Sequence, residues 1–391
     1  MDKRLIWLAV GSFTISTEGF VISSLLPDIA ADAGISLPLA GSLITVFALA
    51  YAIGAPVLAT LTGEWDRRRV ILWTLGFFVL GNVVAALSSS FAMLMLARIV
   101  MALSSGLFAA TAQATAVALV DEHHRARAIA VVVGGTTVAV AAGAPLGALV
   151  AAFAGWRGTF YAIAIFGALA GAVLAWRLPR GLSGTRLSLR TRLAAAMRPG
   201  VRPMLATTLL CLTGAFTIFS YIAPLAAETA GLGEMALPGL LLAFGVGAVI
   251  GNIAGGQAAD RFGAARTVGW TLGLLAVILA LYSAVPLLPH VLAAPALFAL
   301  TALWGVVGWA FPPAQASRIV RLAPEAAPLV LSLNGSALYF GVALGAVVGG
   351  LVLKFGTAAD LGIASALFSL AALGVLAVSR LSTRSAAIPA E

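Results

Sequence analysis

Two ionisable residues stand well inside long apolar runs. Of the 14 acids only Glu18 does so, and of the 23 lysines and arginines only Arg98. An ionisable group at the centre of a membrane-spanning helix costs about 2.5–3.5 kcal/mol on insertion scales, so such a group marks a functional site by default. Glu18 follows Leu5 by thirteen residues, which puts it about 20 Å along its helix. Arg98 follows Phe91 by seven, about 10 Å in from the other side. In a hydrocarbon core about 30 Å thick the two share one level. Burial favours the neutral carboxyl and a nearby guanidinium favours the charged one. A carboxyl so balanced can take a proton on one side of a barrier and release it on the other. The same residues also fit a static ion pair, an arginine countercharge for an anionic substrate, or a carboxylate that attracts a cation.

Other chemistry is sparse. His123 and His124 lie in the Asp121–Arg127 loop, and His290 stands alone. There is no P-loop to use ATP. The single cysteine, Cys211, excludes a disulfide framework, and no cysteine–histidine cluster suggests a metal. The expectation is a protein that is not an enzyme and needs no cofactor.

The elements around these residues follow from composition. Charged residues make up 9% of the 391, hydrophobic residues 61%, and mean hydropathy is +1.07. A soluble domain carries about 25% charged residues, so lipid is the solvent. Apolar runs predict twelve spans, at 5–29, 41–61, 70–88, 91–120, 128–154, 158–176, 203–226, 238–258, 267–285, 291–314, 328–353 and 361–378. The first is read as a retained helix rather than a removed signal. With the N-terminus inside, 20 of the 23 basic residues fall in cytoplasmic segments, and only Arg157 and Lys354 lie outside. This asymmetry places both termini in the cytoplasm and removes nucleic acid as a partner, despite a net charge of +9. The loop from Arg177 to Arg202 holds seven arginines and no acid, as suits a linker along an anionic leaflet.

The halves repeat. Pro27 to Gly34 echoes Pro224 to Gly231 at an offset of 197, Arg69 and Arg266 keep that offset, and Gly143 with Gly147 echoes Gly341 with Gly345 at 198. Parallel six-helix repeats put a substrate path between two bundles. The expected division is 1–176 for the first bundle, 177–202 for the linker and 203–391 for the second bundle with a short tail.

These residues resemble the major facilitator superfamily, in particular its drug:proton antiporter branch with arabinose/sugar-efflux and chloramphenicol-resistance type permeases. Gly256-Gln-Ala-Ala-Asp260-Arg261-Phe262-Gly263-Ala-Ala-Arg266 is similar to the family's signature loop. Its first-half counterpart, Gly63-Glu64-Trp65-Asp66-Arg67-Arg68-Arg69, keeps the basic cluster but has Gly63 for the usual aspartate and Glu64 for the usual arginine. Arg98 followed by Gly106 resembles the fourth-helix arginine pattern. Gly134-Gly135 with Gly143-Ala-Pro145-Leu-Gly147 resembles the fifth-helix motif of antiporters, although glycines four apart also serve plain helix packing. Gly155-Trp156-Arg157 follows, as is common there. Similar efflux proteins carry an acid near Glu18, many of them one position later, where this chain has Gly19.

The resemblance implies an all-α membrane protein of two pseudo-symmetric six-helix bundles, working by alternating access in a bacterial inner membrane. Asp66, Arg67, Arg68, Arg69, Asp260, Arg261 and Arg266 become gating loops, and Asp260, placed just before the ninth span, suits the positive end of that helix. Gly135, Gly143, Pro145 and Gly147 become an antiporter-type motif, and Glu18 with Arg98 a proton-coupling pair. Phe216, Phe219, Tyr221, Trp304, Trp309 and Gln315 are candidates for lining a broad amphipathic cavity. The partners would be a small-molecule substrate, protons and the bilayer, with the chain a monomer. Export coupled to protons, import of sugars or related metabolites, and a sensor without flux all fit at this stage.

Overall fold

The computed structural model describes residues 3–121, 124–182, 200–323 and 327–385, with isolated positions between 190 and 197. His123, most of the basic linker and the tail beyond 385 lie outside the described residues. The described chain is all helical, with α1 (Arg4–Ala33), α2 (Leu37–Leu61), α3 (Arg67–Ala86), α4 (Phe91–Ala118), α5 (Arg125–Val138), α6 (Ala144–Arg177), α7 (Val201–Phe219), α8 (Ile222–Ala230), α9 (Leu237–Phe262), α10 (Ala264–Tyr282), α11 (His290–Leu322), α12 (Ala327–Phe355) and α13 (Asp360–Ser385).

Eleven continuous helical stretches among the described residues are long and apolar enough to cross a membrane. One runs 51 residues, from Arg127 to Arg177, about 75 Å at 1.5 Å per residue and more than twice a bilayer core. Gly155, at φ 70° and ψ 171°, breaks it into two crossings, which gives the twelve spans the sequence predicts. Just before Pro145 this stretch widens into a π-helical segment, Ala139–Gly143. Proline offers no N–H and crowds the carbonyl four residues back, and a π-bulge relieves that crowding.

The predicted span 203–226 is interrupted. α7 ends at Phe219, Tyr221 leaves helical geometry, and α8 begins at Ile222. Pro224 explains the break, since its ring would meet the carbonyl of Ser220 in an unbroken helix. The paired echoes also close their helices alike, with Gly34 at φ 62° after α1 and Gly231 at φ 64° after α8, the left-handed conformation glycine adopts freely.

Helices pack in two sets. α1 lies against α5 and α6, α3 against α4 and α6, and α2 against α4. In the second half α7 lies against α12 and α13, α9 against α11, and α10 against α11 and α13. Glycines set the spacing. A Cβ at Gly341, Gly345 or Gly349 would stand 2.4–2.6 Å from the carbonyl oxygens of Leu209, Thr213 and Thr217, so α12 seats directly on the α7 backbone. Large apolar side chains such as Trp73, Phe153 and Trp176 are 62–77% exposed on the outside of the bundle, as lipid contact allows.

α1 starts on the face that bears the described arginine-rich helix ends, here the basic face. Across the interface between the sets, α2 meets α12 and α9 meets the fifth span. Tyr221 fills the gap left by Gly41 and Gly350, near the face opposite the basic one. At the basic end the second set keeps its own apolar cluster of Val201, Met204, Ile319, Ala323 and Val330, separate from the main core.

Candidate functional site

Glu18 and Arg98 meet. An Arg98 Nη1 stands against Glu18 Oε1, and the side chains are 1% and 0% exposed. Arg98 has further partners, for its Nε donates to the Leu43 carbonyl at 3.3 Å and its guanidinium lies 4.3 Å from the Phe47 ring centroid. Neither Glu18 oxygen has a hydrogen-bond partner among the described residues, so the ion pair with Arg98 is the polar contact seen for it there. The pair joins α1 to α4, and the further contacts of Arg98 bring in α2 of the same bundle.

Glycines decide how α1 presents the carboxylate. A Cβ on Gly135 would stand 2.1 Å from the Ala9 carbonyl oxygen, one on Gly143 2.0 Å from Thr17 Oγ1, and one on Gly147 2.6 Å from Val21 Cγ2. The glycine–proline motif is therefore the seat of α1, directly beside Glu18. The π segment of the same motif touches the other bundle, since a Cβ on Gly245 would stand 2.4 Å from the Ala141 Cα.

The pair also connects across the bundle interface. Phe47 leans on Tyr51 at 6.4 Å, and Tyr51 stacks on Tyr339 of α12 at 3.6 Å between centroids and 17° between planes. Tyr51, Tyr339, Phe47 and the Leu43 carbonyl were absent from the sequence expectations. A tyrosine hydroxyl within an apolar span is a signal, but nothing in the sequence says that the two rings face each other.

The aromatic candidates divide. Phe219, Phe216 and Trp304 join Phe244 in a ring cluster with centroids 4.9–6.0 Å apart. Phe20 of α1 reaches Phe219 at 5.8 Å and Trp309 at 6.2 Å, so this cluster too crosses between the bundles. Tyr221 gives its hydroxyl to the Ala346 carbonyl at 3.0 Å. Gln315 is fully buried and donates to the Met204 carbonyl and to Thr208 Oγ1, both at 2.9 Å, while Thr208 donates to Asn334 at 2.6 Å. That network ties α11 to α7 and α12.

The gating-loop residues separate as well. Asp66 caps α3, accepting from the backbone N–H groups of Arg68 at 2.9 Å, Arg69 at 3.2 Å and Gly181. Partial burial opposes its charge, but the N–H groups of Gly181, Arg69 and Arg68, with the Arg69 guanidinium, outweigh it and hold the carboxyl below its ordinary range. Arg67 donates to the Ala114 carbonyl at 2.9 Å and Arg68 to the Ala175 carbonyl. Both cations thus sit at helix C-termini, where the backbone dipole favours them. Arg69 is exposed. Asp260 lies in the last turn of α9 rather than in a loop before the ninth span, because α9 stays helical to Phe262 and Gly263 alone makes the turn, at φ 90°. Arg261 lies 5.3 Å from the Phe262 ring, and Arg266 opens toward a cavity on the basic face.

The sequence profile of the Major Facilitator Superfamily matches residues 8–293. The chain is 35% identical to the inner membrane transport protein YdhP of Escherichia coli K12, over 91% of this chain and 90% of that one. It is 34% identical to a chloramphenicol resistance protein of Streptomyces lividans, over 89% and 88% respectively. The solved structure of a bacterial homologue of the human lysosomal transporter Spinster superposes with a TM-score of 0.72 at 17% identity, covering 96% of each chain. The chain, with its twelve spans in two bundles, belongs to the major facilitator superfamily of multi-pass membrane transporters.

Proposed function

We propose that this transporter exports small organic molecules, such as drugs or sugars and related metabolites, in exchange for protons, from a bacterial inner membrane with both termini cytoplasmic. The observation that carries the reading is the Glu18–Arg98 pair, fully buried and unassisted on its acidic side. Protonating Glu18 releases Arg98, and Arg98 still has the Leu43 carbonyl and the Phe47 face. The pair can therefore open without stranding the cation. Opening it alters the Phe47–Tyr51–Tyr339 stack, and so the contact between the bundles. The first bundle, 1–176, and the second, 203–391, rock about this interface, joined by the basic linker 177–202. The aromatic cluster between them, with Phe216, Phe219, Trp304 and Trp309, has Phe219 and Trp304 buried in this state and meets a substrate only as the bundles part. The name of the Streptomyces relative favours export of an organic compound over import.

The test uses everted vesicles with an acid interior, a panel of antibiotics, sugars and nucleosides, and a pH-sensitive dye. Compound-triggered proton efflux that is lost in Glu18→Gln supports the reading. Efflux that survives in the variant demotes the pair to a structural clasp. Substrate flux with no proton movement replaces antiport by facilitated transport.

A further inference from the structure

The second bundle carries a layer of polar side chains one turn above an apolar floor. Thr208 stands seven residues from the start of α7, Asn334 seven from the start of α12 and Gln315 seven from the end of α11. Each is therefore about 10 Å in from the basic face. Met204, Val330 and Ile319, one turn nearer that face and fully buried, form the floor. The first bundle has no such layer. At the offset of 197 Thr208 corresponds to Gly11 and Gln315 to Ala118, and at 198 Asn334 corresponds to Thr136. The repeated scaffold therefore does not require two amides at this level.

Hydrogen bonds run one way through the layer. Both Gln315 N–H groups are spent, on the Met204 carbonyl and on Thr208 Oγ1, each at 2.9 Å. Thr208 Oγ1 lies 2.6 Å from Asn334 Oδ1 but 3.4 Å from the Met204 carbonyl, so its proton goes to Asn334. That fixes the Asn334 amide with its oxygen toward α7 and leaves its two N–H groups for another acceptor. Asn334 is half-buried, and a Cβ on the next residue, Gly335, would meet nothing within 4 Å, so α12 borders open space there. Behind Asn334, Gln315 Oε1 is a buried acceptor with no partner among the described residues, an arrangement that native cores avoid unless a ligand or a function uses it. Pro312 and Pro313 lie inside α11 and offer no N–H to the carbonyls of Gly308 and Trp309, so the helix can bend just before Gln315.

We propose that this layer is a substrate subsite for an uncharged amide or hydroxyl group. Asn334 donates to the oxygen of that group, and Gln315 Oε1 accepts its N–H or O–H as α11 bends. No ionised side chain takes part in the layer among the described residues, and a charged group buried in it would go unpaired. The substrate is then a neutral polar organic compound rather than a lipophilic cation. This names the substrate class of the proposed exporter and rests on that reading.

Purified protein in neutral detergent is dialysed to equilibrium against radiolabelled thiamphenicol, uridine or arabinose, all uncharged, and against the cation tetraphenylphosphonium. At least one uncharged compound is expected to bind, and the cation is not. Asn334→Thr, which installs the residue found at 136 in the first half and keeps an oxygen for Thr208, weakens that binding about 2- to 12-fold, the worth of one hydrogen bond. Gln315→Met, of similar volume, weakens it as well. The unfolding temperature of ligand-free Asn334→Thr stays at the wild-type value, which separates lost recognition from lost fold. Undiminished binding in either variant, binding of the cation alone, or no binding of any compound to folded protein overturns the proposal. Binding that needs Asn334, together with vesicles that show no proton efflux, strikes the antiport reading and leaves the subsite standing.

Discussion

Replacing one member of the Glu18–Arg98 pair tests the site most directly, because the two members are unequally supported. In Arg98→Gln the Glu18 carboxylate loses the ion-pair partner it has among the described residues while remaining 0% exposed. Removing one side of a buried ion pair costs about 3–5 kcal/mol. In Glu18→Gln the guanidinium keeps the Leu43 carbonyl at 3.3 Å and the Phe47 ring at 4.3 Å. A hydrogen bond from a charged donor is worth about 1.5–3 kcal/mol and a cation–π contact about 0.5–2 kcal/mol. These retained contacts cut the loss in Glu18→Gln to about 1–2 kcal/mol. The double variant, with both charges gone, should recover about 2–3 kcal/mol relative to Arg98→Gln, since contacting residues are not additive. Reversible unfolding of the purified protein in mixed micelles, followed by circular dichroism, reads all three. Glu18→Gln and the double variant should lie close together, with Arg98→Gln clearly the least stable. If Glu18→Gln is the most damaging, or the double variant is no better than Arg98→Gln, the asymmetric support of the pair is refuted.

Further outcomes follow from the same geometry. Gly143→Val should push α1 off its seat, since even a Cβ there stands 2.0 Å from Thr17 Oγ1, whereas Gly134→Ala meets nothing within 4 Å and should transport normally. Overpacking of this kind costs about 1–3 kcal/mol, and vesicle transport with a quantitative membrane blot separates the two variants. Tyr51→Ala removes a ring stack between the bundles worth about 0.5–1.5 kcal/mol, a shift of about 2- to 12-fold in the equilibrium between access states. Spin labels at Leu39 and Phe355, in a Cys211→Ser background, should then report a longer population on the face opposite the basic one. Asp66 has a depressed folded-state value, so its capping contribution holds above the ordinary carboxylate range and is lost only as pH falls below about 4. Amide exchange at the α3 start should accelerate in that window, and Asp66→Ala should show the faster exchange already at neutral pH, with a loss of about 0.5–2 kcal/mol.

Much of the molecule was legible in one dimension. Lipid as solvent excludes unpaired backbone, so each apolar run of span length has to be a helix, and the twelve spans follow. Helix rise alone put Glu18 and Arg98 at one depth. Glycines four apart announced seams, because a missing Cβ is a local property. Which helix would occupy a seam is not local, and only the folded chain shows Gly143 against Thr17 and Gly341 against Leu209. The break at Tyr221 needed the competition between Pro224 and an unbroken helix, which apolar character does not report. Asp260 was misplaced because a one-residue turn at Gly263 lengthens α9 without any change in composition. The Tyr51–Tyr339 stack and the fate of Arg67 and Arg68 on helix carbonyls depend on how helices far apart in sequence rotate about their axes. Sequence fixes where charge is scarce and how deep it lies, since these follow from counting along a rigid helix. Which buried groups touch was settled by tertiary packing alone, because helix faces are chosen by the fit of all twelve together.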